Sequence, residues 1–171
     1  MGRRSNIQKN TTAYLGIGTN KGSRKRNIQN AINLLTINKN IKVIKVSKLL
    51  KNPPQEGIKS GYFLNGAIKI KTNLIPLKLL KACKDIEKKL GRPILSFNHR
   101  RITTKKKSRI IDLDILLYGN KVLNTPVLKI PHQKLTTRYF VLKPLMDLNK
   151  NLKHPVLNKN LNKLYLDLKK D

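Results

Sequence analysis

Two aspartates are the residues of this chain best suited to chemistry. Asp112 and Asp114 stand in the stretch Ile-Asp-Leu-Asp-Ile, inside an apolar run that predicts a strand. Successive side chains of a strand point to opposite faces, so both carboxylates are expected on one face. A divalent cation would relieve the repulsion between them, and magnesium favours such a pair together with water and substrate phosphates. A solvated strand face with two charges is the alternative.

Cationic side chains that could bind phosphate stand near this pair in the sequence. Arg109 precedes the strand, and Arg92 follows a predicted helix. Arginine presents a planar fork of donors, which matches phosphate oxygens better than lysine does. His132, after Pro131, could add an imidazole donor, although a lone histidine is often structural. These residue types indicate a site that handles phosphate.

Few aromatic residues are available to bind a flat heterocycle. Phe63 and Phe140 could stack on the two faces of a ring, or they could belong to an ordinary core. Asn65 lies two residues after Phe63 and therefore on the same strand face, where its amide offers donors and acceptors to a polar ring edge. Near the N-terminus, Gly18-Thr19-Asn20 resembles a glycine turn, but it lacks the Gly-Lys-Ser/Thr ending of a P-loop.

The elements that must position these residues alternate between strands and helices. Short apolar runs predict strands over residues 13–17, 41–46, 63–70 and 110–118. Apolar residues at helical spacing predict one helix capped by Ser23 and a second that begins at Pro76 and ends at Gly91. The order β-α-β-β-α-β predicts an α/β (α+β) fold in which two helices cover an antiparallel sheet, a split βαβ arrangement.

The remaining segments are predicted to be loops, a hairpin and C-terminal helices. Consecutive prolines make the segment from Asn52 to Gly57 a loop. Residues 92–108 form a long basic loop, of a kind that is often functional. A short hairpin, a helix around residues 136–148 and an amphipathic C-terminal stretch complete the expected domain.

Length and composition favour one globular domain. The chain has 171 residues, of which 39% are hydrophobic, and this is enough to bury a core. We expect residues 1–12 to form a flexible basic extension and residues 13–171 a single domain. The sequence shows neither a bilayer-spanning apolar run nor the apolar segment of a signal peptide. The lone Cys83 excludes an internal disulfide and fits a reducing compartment, so a cytoplasmic location is expected.

The charge of the chain leaves two interpretations open. Lys and Arg number 38 against 8 Asp and Glu, which gives a formal net charge of +30. Such a chain is expected to bind polyanions non-specifically at low salt, and a nucleic-acid-binding domain is therefore a serious alternative. The lysines are nevertheless scattered among Asn and Ile residues instead of clustering on one element, which favours solvated faces.

Several segments, taken together, resemble one enzyme family. The most specific begins at Arg109 and reads Arg-Ile-Ile-Asp-Leu-Asp-Ile-Leu-Leu-Tyr-Gly. The others follow the family's order within residues 13–146: Ala13-Tyr14-Leu15-Gly16-Ile17-Gly18-Thr19-Asn20, Pro53-Pro54, Phe63-Leu64-Asn65, Ile86-Glu87 to Gly91-Arg92, Pro131-His132, and Arg138-Tyr139-Phe140-Val141-Leu142 with Pro144-Leu145. On these motifs the chain resembles the 6-hydroxymethyl-7,8-dihydropterin pyrophosphokinases of folate biosynthesis.

The resemblance implies a fold, a reaction and a set of site residues. It implies a ferredoxin-like core with C-terminal helical additions, in a monomer that transfers pyrophosphate from ATP to 6-hydroxymethyl-7,8-dihydropterin and releases AMP. By the same resemblance, Asp112 and Asp114 would hold two Mg2+ ions, and Arg92 and Arg109 would be catalytic residues that steady the polyphosphate. The remaining matched positions would bind ATP (Glu87, Ile115, His132 and Arg138) or the pterin (Pro53, Phe63, Asn65 and Phe140).

The chain departs from the family pattern on the nucleotide side. Residues 106–108 read Lys-Lys-Ser where the family usually has Trp-Gly-Pro, and Gln133 stands where Tyr is frequent. The loop between Arg92 and Arg109 is also longer and more basic than usual. Because this loop closes over ATP in the family, these changes bear on nucleotide affinity and turnover. The alternatives are a nucleic-acid-binding domain, a nucleotidyl-transfer enzyme that releases pyrophosphate, and a degenerate family member with reduced activity.

Overall fold

The structure, a computed structural model, describes residues 10–53, 61–91 and 109–169. Within these ranges the strands are β1 (Thr11–Thr19), β2 (Ile41–Val46), β3 (Leu50–Asn52), β4 (Phe63–Thr72), β5 (Asp112–Tyr118), β6 (Leu123–Asn124) and β7 (Lys129–Ile130). The helices are α1 (Arg24–Thr36), α2 (Pro76–Lys89), α3 (Tyr139–Leu148) and α4 (Leu161–Asp167). The elements expected from the sequence are therefore present, including the hairpin and the C-terminal helices.

The main sheet is antiparallel, and its strands interleave. Its order is β2-β4-β1-β5, and β3 pairs with the first residues of β4. β1 pairs with β4 on one side and with β5 on the other. Since α1 connects β1 to β2 and α2 connects β4 to β5, this order is the split βαβ arrangement, and the predicted fold class is confirmed. β6 and β7 form a separate two-stranded sheet.

Alternation along β1 gives each face of the sheet its own core. Ala13, Leu15 and Ile17 point to a first face and pack with buried residues of α1 and α2. Tyr14 points to the second face, where it belongs to a separate cluster with residues of α3 and α4. Burial of apolar surface contributes about 25 cal/mol per Å² to the free energy of folding, so the helices on both faces stabilise the sheet.

The ends of α2 follow directly from its sequence. Pro76 occupies the first turn, where a missing N–H removes no intrahelical hydrogen bond. Leu79, Cys83 and Ile86 recur at helical spacing, and all three are buried. Gly91 follows the helix with a φ of 91°, a left-handed conformation that glycine adopts at little cost. The predicted start, buried face and end of this helix are confirmed.

Some predicted boundaries differ from the structure. β1 continues to Thr19 instead of ending at Ile17, because its pairing with β4 runs through the expected turn. Asn52, predicted to begin a loop, ends β3 by pairing with Phe63. Ser23 occupies the N-cap position of α1 as expected, but its side chain makes no capping hydrogen bond.

Other predictions concern residues outside the described ranges. The long basic loop over residues 92–108 lies outside them, as do residues 1–9 of the predicted extension. Thr11 and Thr12, also assigned to that extension, belong to β1.

The helix predicted from residue 136 begins at Tyr139. In the described part of the chain, no helix has the length and apolar character needed to cross a membrane.

Candidate active site

A cavity of about 390 Å³ opens on the second face of the sheet. β1, β4 and β5 contribute to its walls, together with the segment before α3 and the first turn of that helix. Of the residues predicted for phosphate or metal binding, the cavity is lined by Arg109, Asp112, Asp114, His132 and Arg138. Of those predicted to bind a ring, it is lined by Phe63, Asn65 and Phe140. The structure therefore brings both groups of predicted residues into one site.

Two glycines of β1 form the floor between these groups. Gly18 lies between Asn65 of β4 and Asp112 of β5, and Gly16 lies opposite Asp114. A Cβ atom at Gly18 would stand 2.6 Å from Oδ1 of Asn65, closer than real contacts allow. This role was not predicted, because Gly18-Thr19-Asn20 resembles a turn. The signal that was present is glycine at alternate positions of an apolar run.

Asp112 and Asp114 project from the same face of β5, as their spacing predicted. Leu113 and Ile115 alternate with them and are buried in the core of the first face. Asp112 forms an ion pair with Arg109, in which the guanidinium donates a hydrogen bond to the carboxylate. The two carboxylates therefore line the cavity from one strand, with an arginine bound to the first of them.

The electrostatics of the pair favour a bound cation. Burial raises the pKa of the Asp114 carboxyl, and the negative charge of Asp112 raises it further. The positive charges of Lys84 and Arg109 oppose this shift without cancelling it, as does His132 in its protonated form. A divalent cation would favour the ionised form of both carboxylates.

The donor set fits magnesium. Mg2+ is usually bound by one or two carboxylates, with water and substrate phosphates as its other ligands. Asp112 and Asp114 supply such a pair. Within the described ranges, no group of three or more His, Cys, Asp and Glu side chains is arranged to hold a metal by itself.

His132 lines the cavity as a hydrogen-bond donor. Its backbone N–H donates to the carbonyl of Leu116 at 3.0 Å, which ties it to β5. Its Nδ1 accepts a hydrogen bond from the backbone N–H of Lys134 at 3.2 Å, so the proton of the neutral ring is on Nε2. Burial lowers the pKa of His132, while the charge of Asp114 acts in the other direction. This geometry suits the donor role that the sequence suggested.

Arg138 stands at the start of α3 and lines the cavity. It is the N-cap residue of the helix, and its carbonyl accepts a hydrogen bond from the N–H of Leu142 at 3.1 Å. Its guanidinium carbon lies 5.5 Å from the centroid of the Phe140 ring, within the range of a cation–π contact. Burial lowers the pKa of Arg138, but a guanidinium stays charged at neutral pH.

Asn65 is oriented by a neighbouring asparagine. Nδ2 of Asn65 donates to Oδ1 of Asn52, whose own Nδ2 donates to the carbonyl of Pro53 at 3.0 Å. These two bonds turn Oδ1 of Asn65 toward the backbone of Gly18. Asn52 is buried and lines the cavity. Its role was not predicted, because the prolines that follow it indicate a loop.

Lys134 and Gln133 also line the cavity, next to His132. Lys134 was not among the predicted site residues. In a chain with 38 basic residues, one more lysine carries no signal of its own.

The other predicted site residues do not line the cavity or lie outside the described ranges. Glu87 is buried on α2, behind β5, and the side chain of Ile115 lies in the core of the first face. Pro53 is exposed just after β3, where its carbonyl accepts the hydrogen bond from Asn52. Arg92 lies outside the described ranges. The binding roles of these four residues remain predictions.

The fold and the cavity define a small α+β protein that can hold an anionic group beside a flat polar one. The model of the 7,8-dihydro-6-hydroxymethylpterin-pyrophosphokinase (HPPK) family matches residues 14–150. This match covers most of the sequence, and the chain belongs to that family.

Curated relatives agree with this family. The chain is 40% identical over 153 residues to the folic acid synthesis protein fol1 of Schizosaccharomyces pombe, an alignment that covers 90% of this chain and 20% of that protein. It is 37% identical over 150 residues to the 2-amino-4-hydroxy-6-hydroxymethyldihydropteridine pyrophosphokinase of Aquifex aeolicus, with 88% of each chain covered. The chain thus spans about a fifth of the length of its fungal relatives and most of the length of the bacterial one.

Solved structures share the fold. The crystal structure of wild-type Plasmodium falciparum HPPK-DHPS with pteroate matches with a TM-score of 0.69 at 19% identity, covering 93% of this chain and 44% of that one. A crystal structure of HPPK-DHPS in complex with substrates matches with a TM-score of 0.69 at 16% identity, covering 92% of this chain and 43% of that one. At these identities the likeness concerns the fold.

Proposed function

We propose that the chain transfers diphosphate from ATP to the hydroxymethyl group of 6-hydroxymethyl-7,8-dihydropterin and releases AMP, as a step of folate synthesis. One observation carries the proposal. A single cavity has carboxylates and cations on one side of its glycine floor, and two phenylalanines with an oriented amide on the other. The name of the bacterial relative, a pyrophosphokinase of this pterin, supports the same reaction.

The charged side of the cavity suits the polyphosphate. Asp112 and Asp114 would hold magnesium, and we propose two ions, as the family resemblance implies. Bound magnesium supplies a Lewis acid that neutralises charge on the phosphates. Arg109 binds Asp112, while the guanidinium of Arg138 and the Nε2–H of His132 offer donors nearby. Groups of this kind act by positioning phosphates and by balancing their charge.

The other side of the cavity suits the pterin. Phe63 on β4 and Phe140 on α3 would contact the two faces of the ring. Oδ1 of Asn65 would accept a hydrogen bond from an N–H group at the ring edge, while one N–H of its Nδ2 donates to Asn52 and holds the amide in place. The contact of Pro53 with the ring stays a prediction from the family resemblance.

The proposed reaction needs no nucleophile from the protein. The hydroxymethyl oxygen of the pterin forms a bond to the β-phosphorus of ATP and releases its proton to solvent, while the bond from that phosphorus to the α–β bridging oxygen breaks, so that AMP leaves. The protein would accelerate this step by holding the two substrates on either side of Gly16 and Gly18. Such alignment alone can remove several kcal/mol from a barrier, about 7–11 in favourable cases.

We further propose that the chain acts as a monomer in the cytoplasm. The family resemblance supports the monomer. Cys83 is buried, and this burial raises the pKa of its thiol to about 12, which makes it an unreactive core residue that fits a reducing compartment. Light scattering of the purified chain is expected to give the mass of one copy, and a stable dimer would contradict this part of the proposal.

Two substitutions that remove one charge each test the proposed function. Asp112→Asn and Asp114→Asn preserve side-chain size, so pterin binding should persist while turnover falls by roughly a hundredfold or more. Initial rates of AMP formation and a fluorescence titration with the pterin measure the two quantities. Asp167→Asn, at an exposed position of α4, is the control and should behave like the unaltered chain. Undiminished turnover in either cavity variant would contradict the assignment of the carboxylate pair.

A further inference from the structure

Two side chains of α2 cover the outer edge of β5. In the described part of the chain, β5 pairs with β1 on one side and is the last strand of the sheet order. An edge strand directs alternate backbone N–H and C=O groups away from the sheet, and these need partners when they are buried. Leu113 is fully buried, and its outward backbone groups meet α2 instead of another strand.

The contacts form a closed triangle. Oε1 of Glu87 accepts a hydrogen bond from the backbone N–H of Leu113 at 2.7 Å. The same oxygen lies 2.8 Å from Nζ of Lys84. Nζ of Lys84 also donates, at 3.4 Å, to the carbonyl of Leu113. Lys84 and Glu87 therefore bind both backbone groups of one residue, as a neighbouring strand would.

The residue held in this way lies between the two aspartates. Because side chains alternate along a strand, fixing the backbone of Leu113 fixes the direction in which Asp112 and Asp114 leave it. The side chain of Glu87 is 2% exposed, so its negative charge is buried next to the cation of Lys84. Burying a carboxylate is costly unless it is paired, and here it is paired with a cation and with the backbone N–H of Leu113.

We propose that Glu87, supported by Lys84, is a positioning residue that holds the two carboxylates of β5 in the geometry that binds a divalent cation. This differs from the nucleotide-binding role that the family resemblance implied for Glu87. The inference rests on the proposed function only for the identity of the reaction; the geometric claim concerns the affinity of the carboxylate pair for a metal ion.

Metal binding without substrates is the direct test. Mn2+ is titrated into the purified chain and followed by electron paramagnetic resonance, with thermal unfolding recorded for every variant. Glu87→Ala is expected to weaken Mn2+ binding by roughly ten- to a hundredfold, the range typical when groups that orient metal ligands are lost. Glu87→Gln keeps an oxygen that can accept from Leu113 and should lose less.

The same helix offers a matched control. Lys81 and Asp85 form an ion pair of 3.0 Å on the same helix, and their side chains are 78% and 54% exposed. Asp85→Ala removes a carboxylate and an ion pair from α2 without touching the triangle at Leu113. Its Mn2+ affinity and its turnover should equal those of the unaltered chain.

The results distinguish two roles of Glu87, positioning of the aspartates and direct contact with the nucleotide. Weaker Mn2+ binding with a lower kcat and an unchanged KM for ATP supports the proposal. Unchanged Mn2+ binding in folded Glu87→Ala, with a raised KM for ATP, overturns it. If Glu87→Ala does not fold, Lys84→Met decides, because it opens the triangle while keeping Glu87; unchanged Mn2+ affinity there also overturns the proposal.

The proposed function can fail independently of this inference. If the unaltered chain binds Mn2+ but produces no AMP, and Glu87→Ala loses Mn2+ affinity, the positioning role stands and the proposed reaction is wrong. If the unaltered chain binds no Mn2+, the positioning role is overturned.

Discussion

At the scale of single residues, the cavity depends on a position that has no side chain. Gly18 lies between Asn65 and Asp112 in the register of the sheet. The amide of Asn65 cannot turn away freely, because Asn52 binds its Nδ2. The phosphate side and the ring side therefore meet at Gly18, and even one methyl group there should disturb their approach.

Gly18→Ala is expected to weaken pterin binding by about tenfold, or ~1.4 kcal/mol, while the fold is retained. The new Cβ atom would stand only 2.6 Å from Oδ1 of Asn65, so this oxygen would have to move away. Gly16→Ala is the matched comparison, because its Cβ would meet side-chain carbons of Leu116 at 3.3 Å, and these can shift. Calorimetric titration with the pterin measures both, and an unchanged affinity in Gly18→Ala would refute the role of this glycine.

Asp114 is expected to make the protein less stable as pH rises. Burial, and then the charge of Asp112, raise the pKa of its carboxyl above the ordinary value of 3.8. Between 3.8 and the raised pKa the native state binds more protons than the unfolded state, so the free energy of unfolding falls through this window as pH increases and stays lower above it.

Asp114→Asn should therefore raise the free energy of unfolding at neutral pH by about 1 kcal/mol, as removal of a strained functional group can. It should also flatten the dependence of stability on pH above 3.8. Urea unfolding at several pH values measures both effects. A variant no more stable than the unaltered chain at neutral pH would contradict the repulsion between the two carboxylates.

The sequence predicts some of these residues well and others not at all. Asp112 and Asp114 could be found because strand alternation by itself puts them on one face. Gly16 and Gly18 could not, since a glycine in a short run indicates a turn as readily as a close approach. Asn52 was missed for a tertiary reason, because its role arises only when β3 lies beside β4.

At the scale of elements, α3 determines where the ring-binding wall stands. Its first turn carries Phe140 and Val141, which line the cavity. Its inner face buries Leu142 and Leu145 in the cluster on the second face of the sheet. The helix packs against β4, which carries Phe63, so the spacing of the two phenylalanines depends on how this helix is seated.

Leu145→Ala is expected to lower the free energy of unfolding by about 2–5 kcal/mol, because the side chain is fully buried and leaves a cavity. It should also raise the KM for the pterin, since Phe140 moves with the helix. Leu166→Ala on α4, where the side chain is 51% exposed, should cost less than about 0.5 kcal/mol. Equal losses in the two variants, measured by urea unfolding, would show that Leu145 does not seat α3.

Elements with strong local signals were predictable, and those defined by pairing were not. α2 has a proline at its start, a buried stripe and a glycine at its end, so its bounds follow from local chemistry. β3 has three residues and exists only through its pairing with β4. The end of β1 depends on the same strand, which explains why it was placed at Ile17 instead of Thr19.

At the scale of the whole molecule, the positive charge exceeds what the site requires. The formal net charge is +30. In the pairing of β2 with β4, Lys42 lies opposite Lys71 and Lys45 opposite Lys69. Like charges directly opposite each other destabilise a sheet. The charge is therefore expected to lower stability, and nucleic-acid binding should be non-specific and steeply dependent on salt.

Added salt should stabilise the chain, because it screens this repulsion. The melting temperature is expected to rise by a few degrees between about 0.05 and 0.5 M sodium chloride. Lys42→Glu, which would face Lys71, is expected to add about 0.2–1 kcal/mol at low salt and to reduce the salt effect. A melting temperature that is independent of salt in the unaltered chain would contradict this account of the charge.

Product analysis tests the central claim most directly. The purified chain is incubated with ATP and 6-hydroxymethyl-7,8-dihydropterin, with and without magnesium, and AMP, ADP, pyrophosphate and pterin diphosphate are quantified. The proposed reaction predicts AMP and pterin diphosphate in equal amounts, both of which disappear when magnesium is omitted. Release of ADP or pyrophosphate, or no AMP from a folded chain supplied with magnesium, would contradict it.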